Sequence, residues 1–223
     1  MVNPVGTEFK RRLLLVYAAA ACAAVLVSVS PPAGAYTVNI TAGSRTLYLQ
    51  VGVGTFTGTL QGGGTPGVNA TVNVVSVTVP AAQVGTGAAQ AMTTNSTAAN
   101  SFWDNFAFCN PPAQLYVGGF YRVPSGAGAG AGATLTANVP PTLSNGSGGT
   151  ISFSQISWTS SGNSDSGAQP FPAGTFVGGS LQTIGTIARN QWAESCLTFS
   201  YANSAVVPAG TYTGTVVYTL SAP

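Results

Sequence analysis

From Tyr36 onward the chain alternates apolar and polar residues with a period of two, the spacing of a strand that buries one face. Val38 and Ile40 alternate with Thr37, Asn39 and Thr41, and Leu47, Leu49 and Val51 with Thr46, Tyr48 and Gln50. Over residues 71–79 the phase slips at Val74-Val75. Val72 and Val74 share one face and Val75, Val77 and Val79 the other, which predicts a bulge or a strand buried on both sides. Further strands are predicted at 113–117, 133–137, 151–158, 181–187 and 196–201. The clearest is 211–220, where Tyr212, Val216, Tyr218 and Leu220 point one way and Thr211, Thr213, Thr215 and Thr219 the other. Many short strands separated by Gly, Pro and Asn predict an all-β fold, an antiparallel β-sandwich of immunoglobulin-like or pilin-like type. One or two helical turns are predicted within 98–108, capped by Asn100 or Ser101. An outer-membrane barrel would need more strands of about ten residues than this pattern supplies.

Before Tyr36 the pattern changes. Lys10, Arg11 and Arg12 precede an apolar stretch over 13–29, Pro31-Pro32 breaks it, and Ala33-Gly34-Ala35 supplies a small-x-small cleavage signature. Residues 1–35 therefore read as a cleaved signal peptide and 36–223 as a single sandwich domain. A retained anchor would need about 20 apolar residues, and a lipoprotein would need Cys22 at the end of the apolar run rather than within it. Export to the periplasm, cell surface or exterior is the expectation.

Removing the leader changes the charge. Arg45, Arg122 and Arg189 face Asp104, Asp165 and Glu194, a formal balance of zero. Soluble domains typically carry about 25% charged residues, so Thr, Ser, Asn, Gln and Gly must keep this surface wet. Neutrality argues against nucleic acid as a partner and leaves little repulsion to oppose self-association. Cys22 leaves with the leader, so Cys109 and Cys196 remain to form one disulfide in an oxidising compartment. It would contribute about 4 kcal/mol by the chain-entropy account.

Residues 36–223 lack histidine and lysine. This removes Ser-His-Asp and Cys-His machinery, Schiff bases, lysine–asparagine crosslinks and most zinc sites. No catalytic residue, metal or cofactor is expected, and the chain is read as a non-enzyme. The remaining chemistry gathers near the two cysteines. Trp103, Asp104, Trp192 and Glu194 could form a ligand platform for a glycan, with Phe102, Phe106, Asn100, Asn105, Asn190 and Gln191 nearby. The same tryptophans suit a sandwich core beside a disulfide better still, and core is the preferred reading. A glycosidase would require Asp104 and Glu194 to face a substrate at a suitable spacing. Tyr48, Tyr116 and Trp158 are expected in the core or on a sheet face.

The tract at 126–133, Gly-Ala-Gly-Ala-Gly-Ala-Gly-Ala, reads as a loop. Four Asn-x-Ser/Thr triplets begin at Asn39, Asn69, Asn95 and Asn145 and matter only in a glycosylating host. Pro172-Ala173-Gly174-Thr175-Phe176 recurs as Pro208-Ala209-Gly210-Thr211-Tyr212, a turn that would deliver an aromatic ring onto the core at the start of a strand.

Residues 207–220, Val-Pro-Ala-Gly-Thr-Tyr-Thr-Gly-Thr-Val-Val-Tyr-Thr-Leu, resemble the closing strand of spore-coat-U-type proteins, themselves similar to subunits of archaic chaperone–usher pili. The resemblance implies a sandwich completed by a strand from a neighbouring subunit, with a periplasmic chaperone and an outer-membrane usher as partners. On that basis the expected function is a structural subunit of a surface filament, fimbria or coat, partnered by itself or other surface subunits. Tyr36, Val38 and Ile40 then form the candidate strand-exchange segment. The alternative is a monomeric carbohydrate-binding or adhesin module that uses the Trp103/Trp192 region to bind glycans.

Overall fold

The computed structural model describes residues 36–128, 130–162 and 167–223; the predicted leader lies outside them. Along the chain run β1 (Thr37–Asn39), β2 (Thr46–Val51), β3 (Phe56–Thr57), β4 (Thr65–Pro66), β5 (Val75–Ser76), β6 (Gln90–Ala91), β7 (Thr93–Thr94) and β8 (Leu115–Arg122). There follow β9 (Ala133–Val139), β10 (Thr142–Ser144), β11 (Thr150–Ser152), β12 (Ile156–Ser161), β13 (Gly174–Thr175), β14 (Ser180–Ile187), β15 (Gln191–Tyr201) and β16 (Val217–Ser221). The fold is all-β, and no helix among the described residues is long and apolar enough to cross a membrane.

The larger sheet has the order β13-β12-β15-β8-β2, with every pairing antiparallel. Its organiser is β15, whose eleven residues exceed any single neighbour. On one edge Cys196–Tyr201 pairs with β12 and Gln191–Ala193 with β1. On the other edge Gln191–Ser195 pairs with β8, and Ser200 and Tyr201 with β6. The smaller sheet, β14-β9-β16, is also antiparallel, with a register shift between Thr183 and Gly185.

The two sheets form a sandwich around one main core. Leu115, Val117 and Tyr121 of β8 and Ala193, Leu197 and Phe199 of β15 pack in one cluster with Leu135, Ala137 and Val139 of β9 and Ile184 and Ile187 of β14. The opposite face of the larger sheet is also buried. There Tyr116, Phe120, Trp192 and Cys196 are covered by Tyr36, Phe56, Phe102, Trp103 and Phe108 from the N-terminal segment and two loops. The second cover explains why β8 and most of β15 are buried continuously rather than at alternate residues. The Cys109–Cys196 disulfide fastens this cover to β15.

Several predicted boundaries shift for local reasons. Within 71–79 only Val75 and Ser76 join a ladder, with Thr93 and Thr94. The rest is held by asparagine side chains: Asn73 accepts from Val53 N at 3.1 Å and donates to Val51 O at 2.7 Å, and Asn95 Oδ1 accepts from Val74 N at 2.8 Å. Such amides substitute for backbone partners. The predicted strand at 151–158 is split by a 3₁₀ turn at Phe153–Gln155, where the Ser152 side chain accepts from Ser154 N. The strand predicted at 196–201 begins earlier, at Gln191, because Trp192 and Glu194 face the second cover. At 211–220 the alternation of half-buried and exposed residues holds, yet the ladder covers only β16. Leu143 and Phe153 press against the Gly214 backbone and leave no room for a side chain there. In place of the predicted helix, residues 101–105 make a single turn, closed by Asn105 N to Ser101 O at 2.9 Å and capped by Ser101 Oγ on Trp103 N at 3.0 Å.

Candidate assembly site

The N-terminal segment enters the larger sheet through a three-residue ladder. Thr37, Val38 and Asn39 oppose Ala193, Trp192 and Gln191. Two further backbone bonds bracket it, Glu194 N to Tyr36 O at 3.3 Å and Ile40 N to Asn190 O at 2.8 Å. The period of two puts Tyr36, Val38 and Ile40 on one face. Ile40 is buried against Phe120 and Trp192, Val38 is half-buried beside them, and the Tyr36 ring centroid lies 5.4 Å from that of Phe108. The exchange segment expected from sequence is thus seated in its own chain, along the same edge of β15 as β12.

Polar chemistry lies directly beneath it. Tyr36 Oη donates to Asp104 Oδ2 at 2.6 Å, and Asp104 Oδ1 accepts from Phe106 N at 3.0 Å. One step deeper, Tyr116 Oη donates to Glu194 Oε2 at 2.5 Å. Glu194 is 0% exposed, and among the described residues its Oε1 has no partner at bonding distance. The Trp192 indole N–H likewise closes no bond among the described residues. Burial pushes the Glu194 carboxyl up to about 7; the nearby Ser101 hydroxyl, Tyr116 hydroxyl and Trp192 N–H oppose this, and the Asp104 charge adds to it. Burial, then the Asp104 contact, also raises the Tyr36 phenol. Gly118 is what lets Tyr116 reach the carboxylate. It stands opposite Glu194 across the ladder, and any side chain there would collide with the Tyr116 phenol.

The four residues proposed as a ligand platform do gather here, but in two different settings. Trp103 and Asp104 are half-buried on the covering turn. Trp192 and Glu194 are fully buried, and the Trp192 ring packs against Phe120 and Tyr48 at centroid distances of 6.0 and 6.3 Å. That leaves no ring face for a sugar, and Trp192 serves as core. Tyr116 and Trp158 are also buried, the Trp158 Nε1 donating to Pro172 O at 2.9 Å, while Tyr48 is half-buried. Sequence reasoning missed Ser101 and Tyr116 as neighbours of Glu194. The paired glycines Gly118-Gly119 within an otherwise apolar strand were the available signal.

A second feature lies across the sandwich. The strands β2 and β16 are laddered on one side only, to β8 and β9 respectively, and run close to each other. Arg45 Nη1 donates to Pro223 O at 2.8 Å and ties their ends. Leu49, Val51, Val75, Val77, Val79, Tyr218 and Leu220 reach the main core from this side while remaining only partly buried. Protein-family models, curated proteins and solved structures give no match to the chain.

Proposed function

We propose that the chain is an exported structural subunit of a cell-surface filament, fimbria or coat that assembles through β-strand pairing. The observation that carries this reading is the seat of Tyr36–Ile40: a short strand with one apolar face, held by a three-residue ladder on an edge it shares with β12. The same bonds form whether the strand comes from its own chain or from a second copy. Exchange changes the path of the link before β2, the usual economy of a domain swap. The edges of β2 and β16 support the same reading, since each is laddered on one side among the described residues and an unpaired edge flanked by apolar residues is a template for an added strand. The leader-like residues 1–35 and the disulfide suit an oxidising compartment outside the cytosol. The resemblance of 207–220 adds a periplasmic chaperone and an usher to the proposed partners.

Deleting residues 36–41 from the secreted protein tests the reading. Light scattering after size exclusion and negative-stain microscopy should show oligomers or filaments for the full chain and monomers for the deletion. Unchanged oligomers from the deleted chain would overturn strand exchange through this segment.

A carbohydrate-binding role survives as a second reading at a different place. Phe106 is 72% exposed, and beside it runs a groove of about 430 Å³ lined in part by Phe56, Thr59, Asn100, Phe102 and Asn105. Rings beside amides and a hydroxyl suit a neutral sugar. Loss of oligosaccharide binding in Phe106→Ala, with tryptophan emission unmoved, is the outcome expected of such a site.

A further inference from the structure

We propose that Glu194 and Asp104 form a pH-operated latch on the N-terminal strand, holding Tyr36–Ile40 closed when Glu194 carries a proton and loosening it when Glu194 is ionised. The latch regulates the strand seat described above; its consequence for assembly rests on the strand-pairing reading, whereas its chemistry does not.

The argument starts from what surrounds Glu194. From β8 comes the Tyr116 hydroxyl, from the covering turn Ser101 and the Asp104 carboxylate, from the N-terminal segment Tyr36, and from its own strand Trp192, with Tyr48 of β2 acting on Tyr116. Further along β8 the Arg122 guanidinium sits over the Phe120 ring, 5.2 Å from its centroid. An ionised Glu194 in the closed seat is therefore a buried charge with one firmly bonded oxygen, one unpartnered oxygen and a second carboxylate nearby. A protonated Glu194 avoids that cost and can itself donate a hydrogen bond.

Both the strand and the turn lie against Glu194. Glu194 N bonds Tyr36 O, and Tyr36 Oη bonds Asp104 on the turn. Strand and turn are thereby tied to each other over the carboxylate. Lifting Tyr36 breaks both ties and lets water reach Glu194. Ionisation is thus easier in the open form, so rising pH must favour opening. The chain contains no histidine, so no imidazole competes for this role near neutrality.

Hydrogen exchange of the Thr37–Ile40 amides, corrected for the intrinsic rate at each pH, reads the latch on the intact disulfide-bonded protein. The opening equilibrium should rise at least about tenfold between pH 5 and 8. In Glu194→Gln, which keeps a side-chain oxygen for the Tyr116 bond, that rise should vanish. Tyr116→Phe gives a second readout should the first variant not fold: removing a donor from the ionised form should move the transition to higher pH. A flat wild-type profile, or an unchanged slope in Glu194→Gln, overturns the latch. Mass photometry of the same samples separates the two ideas. Opening that rises with pH while the protein stays monomeric sustains the latch and defeats strand exchange. Oligomers that form with pH-independent exchange of these amides do the reverse.

Discussion

At the scale of single residues, Glu194 and Gly118 carry the sharpest expectations. The native protein keeps the Glu194 proton up to about pH 7, whereas the unfolded chain gives it up near the ordinary 4.5. Between those values the native state binds more protons than the unfolded state, so the free energy of unfolding falls as pH rises and levels off above about 7. The total loss is about 3 kcal/mol at 1.36 kcal/mol per pK unit. Denaturant melts from pH 4 to 8.5 should show this decline in wild type and none in Glu194→Gln. Gly118→Ala tests the geometry rather than the charge. The added methyl group would push the Tyr116 phenol off Glu194, costing about 1–3 kcal/mol as overpacking does elsewhere. A fall of several degrees in melting temperature is expected, and a melting point unchanged from wild type would mean that Tyr116 reaches the carboxylate by another path. Little of this was legible beforehand. The predicted strand at 196–201 stopped short of Trp192 and Glu194, and the pattern could not say that a second layer would cover their face. The residues that matter to Glu194 come from positions 36, 101, 104 and 116, and only the folded chain brings them together.

At the scale of elements, the period of two located the longer strands, and its errors have local causes. Val75, Val77 and Val79 were read as a strand face, and they do reach the core. What the pattern could not show is that Asn73 and Asn95 would supply hydrogen bonds in place of a ladder. The recurring Pro-Ala-Gly-Thr-aromatic turn behaves as expected once. Phe176 is buried, its ring centroid 4.8 Å from that of Trp158 and 6.2 Å from that of Phe199. In the second copy Tyr212 bends back instead, its hydroxyl donating to Pro208 O at 2.8 Å, because the ladder begins only at Val217. The disulfide joins residues 87 apart in sequence and pins the covering loop, whose ring Phe108 packs with Tyr36 and Tyr116. Replacing both cysteines with alanine should cost about 4 kcal/mol. The sandwich core lies on the other face of β15, so exchange should rise first in Tyr36–Ile40 and the 101–106 turn. Uniform loosening of both sheets would show that the cover and the core unfold as one unit.

At the scale of the whole molecule, the unusual property is how little charge does any work. The outward face of the smaller sheet is wetted by hydroxyls and an amide: Thr183, Thr136 and Thr219 form one cross-strand row, Thr186, Thr134 and Ser221 another, and Leu181, Asn138 and Val217 a third. Neither β14 nor β16, the edges of that sheet, carries a charged residue to discourage pairing. Association of such molecules must draw on backbone hydrogen bonds and apolar contact, and neither is screened by ions at a Debye length of about 10 Å in 0.1 M salt or 3 Å in 1 M. Oligomerisation should therefore hold constant or strengthen from 0.05 to 1 M sodium chloride, while the buried Glu194 keeps it sensitive to pH. The pairing of these two responses is informative, because surface ion pairs would make assembly weaken with salt as well as shift with pH. Sedimentation velocity over a grid of salt and pH resolves the alternatives. Oligomers that dissociate as salt rises would place the joint on Arg45, Arg122 or Arg189 rather than on strand edges. Persistence in salt with a pH-dependent population would trace the joint to the seat of Tyr36–Ile40 and the carboxyl beneath it.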